Sequence, residues 1–308
     1  MCVSTRVETG STPSVRLRAD AMALVREGTL GDQGSQADSA NWTPPEIDTS
    51  IPHSARMYDY YLGGKDNFPA DRGAAEGVLK VFPQMRTVAQ ENRGLLHRMV
   101  QFLAGEAGIR QFLDIGTGIP TSPNVHEIAQ GIAPEARVVY VDNDPIVLAH
   151  ARALLASHPA GRTAYISADL KDPKRILADG ALLETLDLSE PTALLIVGTL
   201  HYLLDSDDVY GIVDTLVEAL PSGSYVALQQ ATADVLPEVV GKESSDAVND
   251  SGVAFQYRTK AQFERFFSGL EMVEPGIAMM AEWRAENEPQ PRPSPADASG
   301  YGAIGRKP

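Results

Sequence analysis

One cysteine, Cys2, serves all 308 residues. A single thiol forms neither an intrachain disulfide nor a thiolate metal cluster. Basic residues are scarce too: 26 Lys and Arg face 41 Asp and Glu, for a net charge of −15. A nucleic-acid binder neutralises phosphates with Lys and Arg, so DNA and RNA are not expected partners. No apolar run reaches the roughly 20 residues that span a bilayer, and no hydrophobic signal-peptide core follows Met1. A cytoplasmic location without membrane attachment is therefore expected. His-x-x-x-His and Cys-x-x-Cys spacings are missing, so no metal site is assigned, and no Gly-x-Ser-x-Gly elbow marks a serine hydrolase.

What is present suffices for a large core, since 43% of the residues are apolar. Residues 1–45 are rich in Ser, Thr, Gly, Asp and Arg, without hydrophobic periodicity, and read as a disordered leader in which Met22 is an alternative start. Residues 70 to 107 carry helical spacing, interrupted at Pro83, with Leu95, Leu96, Met99, Val100 and Leu103 on one face of the second helix. Then the pattern changes. "QFLDIG", "RVVYVDND", "TAYISADL", "ALLIVGTL" and "SYVALQQ" are short apolar strands. Between and after them lie amphipathic helices such as "DPIVLAHARALLASH", "DSDDVYGIVDTLVEALPSG" and "TKAQFERFF". That alternation predicts an α/β fold with a mostly parallel sheet covered on both faces.

Ligands of such sheets sit beyond the carboxyl ends of the strands. Three strand ends here carry an acidic group: Asp114 in "DIGTG" with Gly116, Thr117 and Gly118, then Asp142 with Asn143, then Asp169 with Leu170. The glycines let the backbone turn tightly against a ligand, Asp142 can accept from ribose hydroxyls, and Asp169 can accept from a purine amine. A dinucleotide site favours a third glycine and a bare helix end for pyrophosphate. Instead the chain continues Ile119-Pro120-Thr121-Ser122-Pro123. A cationic nucleoside without phosphates, S-adenosyl-L-methionine, suits the acidic crevice better than a nicotinamide dinucleotide.

The stretches "ARMYDYYLGGKDNFPADR", "FLDIGTGIPTSPNVHEIAQ", "VVYVDNDPIVLAHARALL", "YISADLKDP" and "ATAD" closely resemble an actinobacterial family of S-adenosylmethionine-dependent methyltransferases long catalogued as a domain of unknown function. The resemblance runs from about Trp42 to the final "YGAIGRKP". It implies a class I, Rossmann-like fold: a mostly parallel seven-stranded sheet with helices on both faces and an N-terminal helical extension. Residues 46–308 would be one methyltransferase domain, 46–108 its helical lid and 109–308 its core. The resemblance also implies a methyl acceptor, expected to be a small molecule; the alternative is a cofactor-binding sensor or partner protein without catalysis. Nothing in the sequence fixes an oligomeric state.

Segments ahead of the first strand fold over the cofactor in this class. By that resemblance Tyr58, Asp59, Tyr60, Gly63, Gly64, Lys65 and Asn67 would form a lid. Arg56 or Lys65 would pair with the methionine carboxylate, and a tyrosine face would meet the sulfonium. His201 and Tyr202, just after the fourth strand, are the candidates for acceptor chemistry. His126, beside the capping pair Asn124 and Glu127, reads as an exposed first-turn residue. Residues 231–257 are long for a connection and are expected to cover the acceptor pocket. The sequence departs from the family's commoner "SHATAD" at Gln229 and Gln230, and "VGTL" before His201 is also unusual, so both departures fall on the presumed acceptor side.

Overall fold

The computed structural model describes residues 48–154 and 157–308, side chains of 151–154 excepted. The expected leader, 1–45, lies outside the described residues. Among the described residues three helices come first: α1 (Ser54–Tyr61), α2 (Pro69–Val81) and α3 (Met85–Gln101). Each boundary has a local cause. Pro69 opens α2, where a missing N–H costs nothing, and Asp71 reaches back to accept the Phe68 N–H at 2.8 Å. Pro83 separates α2 from α3, which widens at its end into a π-helical turn over Phe102–Glu106.

Strands and helices then alternate as the apolar pattern predicts. They are β1 (Gln111–Ile115), α4 (Val125–Ile132), β2 (Arg137–Asp142), α5 (Pro145–Leu154), β3 (Arg162–Ser167), α6 (Pro173–Leu177), α7 (Gly180–Thr185) and β4 (Ala193–Ile196). After two short turns follow α8 (Val209–Glu218), β5 (Tyr225–Ala231), α9 (Glu238–Asp250) and α10 (Lys260–Glu264). Two strand pieces, β6 (Glu271–Met272) and β7 (Ala278–Met279), precede β8 (Gly300–Arg306). Strands β3-β2-β1-β4-β5 are parallel in that order; β8 lies antiparallel to β5. This order and these directions are those expected of a class I methyltransferase sheet.

One count differs from the expectation of seven strands. Among the described residues the sheet has eight because its last position is split: β6 pairs with β8 at Gly305 and Arg306, and β7 with β8 at Tyr301 and Gly302. Val273-Glu274-Pro275-Gly276-Ile277 lies between the two pieces. Pro275 has no N–H to give a ladder, so an edge strand can break there at little cost.

Successive strand residues point to opposite faces. Leu113, Ile115, Val139, Val141, Leu194 and Ile196 pack on one side with α8 and the Phe263–Phe266–Phe267 cluster. Phe112, Val138, Tyr140 and Leu195 pack on the other with Leu95, Met99 and Leu103 of the α3 stretch. Thus α3 covers a sheet face, while Met57 and Tyr61 of α1, Val78 of α2 and Val248 of α9 form a smaller apolar cluster of their own. Residues 48–308 belong to one compact unit. Among the described residues no helix is long and apolar enough to cross a membrane.

Candidate functional site

The carboxyl ends of β1, β2, β3 and β4 open into a cleft whose remaining wall comes from α1 and α3. Its floor is the turn after β1. Gly116 and Gly118 have φ of +76° and +68°, where a side chain is strained. The Gly116 N–H donates to Val141 O at 2.8 Å, and the Gly118 N–H to Asp142 Oδ2 at 2.8 Å. A Cβ on Gly116 would lie 2.1 Å from Thr199 Oγ1, whereas one on Gly118 would meet nothing within 4 Å. The two glycines therefore separate in a test. Gly116→Ala combines left-handed strain with a clash and should cost about 2–4 kcal/mol in urea unfolding, against about 1–2 kcal/mol for Gly118→Ala. Equal losses would contradict the close approach of Thr199.

The acidic groups gather as the sequence predicts. Asp114, Asp142 and Asp169 all line the cleft, with Thr117, Asn143 and Leu170 beside them. Burial pushes the Asp114 carboxyl up to about 7; nearby Asp142 adds to this, while Arg93 and the Thr117 hydroxyl oppose it. Burial also raises Asp142, against the stabilising N–H groups of Asp144 at 2.9 Å and Gly118. Asp169 is exposed and accepts the Lys171 N–H at 2.9 Å.

The opening tyrosine-rich motif divides. Tyr58 lines the cleft; its hydroxyl donates to Ala89 O at 2.9 Å and accepts from Asn92 Nδ2 at 3.3 Å. Gly63, Gly64, Lys65 and Asn67 do not line it, which corrects the expectation of a ligand-facing lid there. The buried Asp59 carboxylate explains why. Asp59 Oδ2 accepts from the Asp66 N–H at 2.9 Å and from Asn67 Nδ2 at 2.7 Å, folding the turn back onto α1. The Gly64 N–H donates to Asp59 O at 2.8 Å, and a Cβ on Gly64 would lie 1.9 Å from Asp59 Oδ1. The Gly-Gly pair ends a helix.

Arg56 is likewise committed elsewhere: its Nε meets Asp144 Oδ2 at 3.0 Å and Nη1 lies 3.7 Å from Asp71 Oδ2. His53, at the cleft wall, has Nδ1 3.1 Å from the same Asp144 oxygen. The guanidinium in the cleft belongs to Arg93, which donates to Thr121 O and Pro123 O at 2.5 and 2.7 Å. Sequence reading missed Asn92, Arg93, His53 and Thr199. A signal existed for Asn92: it falls at helical spacing from Leu95, Leu96 and Met99, a polar group on an apolar stripe.

A second cavity adjoins the cleft, the two sharing Tyr58, Asn92, Gly198 and Tyr202 as walls. His201 and Tyr202 both line it, as do Phe255 and Tyr257, so the long segment after β5 does cover this space. Burial, aided by Arg258, drives the His201 pKa down to about 3, leaving a neutral ring at physiological pH. A group that weakly basic has little driving force to remove a proton. Among the described residues His201 Nδ1 and Asn92 Oδ1 are buried without a hydrogen-bond partner. Both unusual glutamines have structural partners: Gln229 Oε1 accepts the Gly198 N–H at 3.0 Å, and Gln230 Oε1 accepts from Arg258 at 3.2 Å. His126 lies outside both cavities. It is buried, not exposed as expected, because the Tyr140 hydroxyl comes within 2.8 Å of its Nδ1 and also accepts its backbone N–H. The Asn124–Glu127 capping pair is present as read.

A family profile described as "S-adenosyl methyltransferase" matches residues 40–308. Among solved structures, a DUF574 family protein from Streptomyces avermitilis MA-4680 is 50% identical, covers 85% of this chain and 100% of its own, and superposes with a TM-score of 0.81. A candidate methyltransferase from Thermobifida fusca YX is 44% identical over 87% of this chain and 99% of its own, with a TM-score of 0.79. No curated protein matches.

Proposed function

The chain belongs to the S-adenosyl methyltransferase family, whose cofactor is S-adenosylmethionine, and on that premise we propose that it transfers the methyl group to a small-molecule acceptor from the cleft beyond β1, β2 and β3. One observation carries this reading: three carboxylates at successive strand ends share a cleft with the close-packed glycine turn. The residues present fit the cofactor. Beside Gly118 the turn leaves open space, since a Cβ there would meet nothing within 4 Å, and the acidic lining matches a cation. When bound, the cofactor supplies an electrophilic methyl on a sulfonium.

The protein's task is then to bind, orient and exclude water. Asp142 would accept from ribose hydroxyls, Asp169 from the purine amine with Asn143 beside it, and Asp114 from the amino group. Arg93, in place of Arg56 or Lys65, would take the carboxylate. Tyr58 would present its ring at the junction of the two cavities. No observation favours the non-catalytic alternative.

The test is a calorimetric titration with S-adenosylhomocysteine across pH. An amino group binds the ionised Asp114, so affinity falls as pH drops through a pKa of about 7. Wild type should bind about tenfold more tightly at pH 8 than at pH 6, and Asp114→Asn should lose that dependence. A folded protein that binds neither S-adenosylmethionine nor S-adenosylhomocysteine would end the assignment of this cleft.

A further inference from the structure

We propose that the second cavity is the acceptor site and that it selects an uncharged, planar molecule presenting an O–H or N–H donor. This deepens the methyltransferase reading and rests on the cofactor occupying the adjoining cleft. Position supports it first. Tyr58, Asn92, Gly198 and Tyr202 line both spaces, so the two cavities abut along these four residues.

Charge comes next. Among the residues lining the cavity there is no Asp, Glu, Lys or Arg, and its histidine is held neutral. A charged acceptor would leave water there without a counter-ion, at heavy desolvation cost. This contrasts with the cleft next door, which carries three carboxylates, Arg93 and Lys171. The division of charge fits a cationic cofactor on one side and a neutral acceptor on the other.

Shape points to a ring. Phe255 meets His201 edge-on at 5.4 Å and Tyr257 edge-on at 4.8 Å between centroids, and His201 and Tyr202 lie 4.4 Å apart. Aromatic walls of this kind favour flat partners by stacking and edge contacts. Met57 and Met85, also in the lining, adapt to irregular outlines.

Polarity supplies the donor requirement. Two of the five buried side-chain atoms without a partner among the described residues, Asn92 Oδ1 and His201 Nδ1, belong to this lining. The Asn92 amide nitrogen already donates to the Tyr58 hydroxyl, so its oxygen is an open acceptor. Neutral His201 offers a lone pair on one ring nitrogen. Such atoms are costly to leave unmade. An O–H or N–H of the incoming molecule would satisfy one of them. His201 is thus a positioning residue that holds the nucleophilic group by hydrogen bonding. A lone pair on the acceptor's O or N would form the new bond to the methyl as the C–S bond breaks and its electrons leave with a neutral thioether. The acceptor's proton, made strongly acidic by methylation, would pass to water.

The experiment titrates three single-ring probes into full-length protein saturated with S-adenosylhomocysteine: p-cresol, toluene and 4-methylbenzoate. Wild type should bind p-cresol at least about tenfold more tightly than toluene, because only the phenol can donate to one of the open acceptors. Binding of 4-methylbenzoate should be weaker than either. His201→Phe should erase the preference for p-cresol over toluene while leaving S-adenosylhomocysteine affinity within about twofold of wild type. Asn92→Leu, a second variant, should also reduce that preference. Failure of p-cresol to bind, equal binding of all three probes, or a preference for the benzoate, each with normal S-adenosylhomocysteine binding, would overturn the proposal and leave the cofactor cleft standing. Loss of S-adenosylhomocysteine binding by folded wild type would instead remove the cofactor reading and this one with it.

Discussion

Asp142→Asn should lower affinity for S-adenosylmethionine at least about a hundredfold, a loss of roughly 3 kcal/mol. The carboxylate has two duties that an amide cannot combine. Its two oxygens separately accept the Gly118 N–H at 2.8 Å and the Asp144 N–H at 2.9 Å. In an asparagine one of those positions becomes an NH₂ facing another donor. Hydrogen bonds to a charged group contribute roughly 1.5–3 kcal/mol each, so losing one of them together with the proposed acceptor for the ribose hydroxyls reaches the stated magnitude. Calorimetric titration at pH 8 measures it, with circular dichroism showing that the fold persists. Asn143→Ala is the comparison: Asn143 is exposed and its one long contact, 3.4 Å to Asp169, predicts a much smaller effect. Affinity within about threefold of wild type in a folded Asp142→Asn protein would remove Asp142 from the site.

The largest loss of stability should follow Arg258→Met. The arginine is only 1% exposed. Its guanidinium donates to Leu200 O at 3.0 Å, Leu203 O at 2.8 Å and Gln230 Oε1 at 3.2 Å, and reaches Asp205 Oδ1 at 2.9 Å. It therefore ties the turn after β4 to β5 and to the segment behind His201. The pair with Asp205 contributes little, since half of that carboxylate's surface faces solvent. The buried oxygens matter more. Each one stranded costs roughly 1–3 kcal/mol, so methionine should destabilise the protein by about 3 kcal/mol or more. Lysine should rescue little, because a single ammonium cannot reproduce the planar fork. Chemical denaturation of both variants tests this, and a loss below about 1 kcal/mol for Arg258→Met would show that water or a shifted backbone takes over those oxygens.

The five parallel strands were legible because strands buried on both faces are nearly continuous apolar runs, as in Val138 to Val141. The acidic trio was legible for the same reason: once the strands are located, their carboxyl ends are too. Two-residue pieces such as β6 and β7 carry no pattern long enough to count. Gly63 and Gly64 misled because glycine next to tyrosines suits a ligand lid and a helix end equally well, and only the fold-back of Asp66 and Asn67 onto Asp59 decides between them. Arg93 was hidden for another reason. Which helical residue faces the cleft depends on how α3 docks against the sheet, which local sequence does not encode. His126 shows the same limit, since its partner Tyr140 arrives from a neighbouring strand. The second cavity draws on α1, α2, α3, β5, α9 and the turn after β4, so no single stretch announces it.

The Asp142–Asp144 pair has a thermodynamic consequence. The Asp144 N–H is one of the two that hold Asp142, while the Asp144 carboxylate holds Arg56 and lies beside His53 of the segment that opens α1. A ligand at Asp142 and the seating of α1 therefore bias a common element, and such a bias is reciprocal. Whatever free energy the cofactor gives to the seated helix, the seated helix returns to the cofactor. Substitutions in α1 that never touch a ligand thus belong among the determinants of its affinity, and bound cofactor should slow amide exchange along α1. With the cofactor at the proposed site, the extension ahead of the sheet would act less as a cover than as an energetic partner of the strand end it rests on.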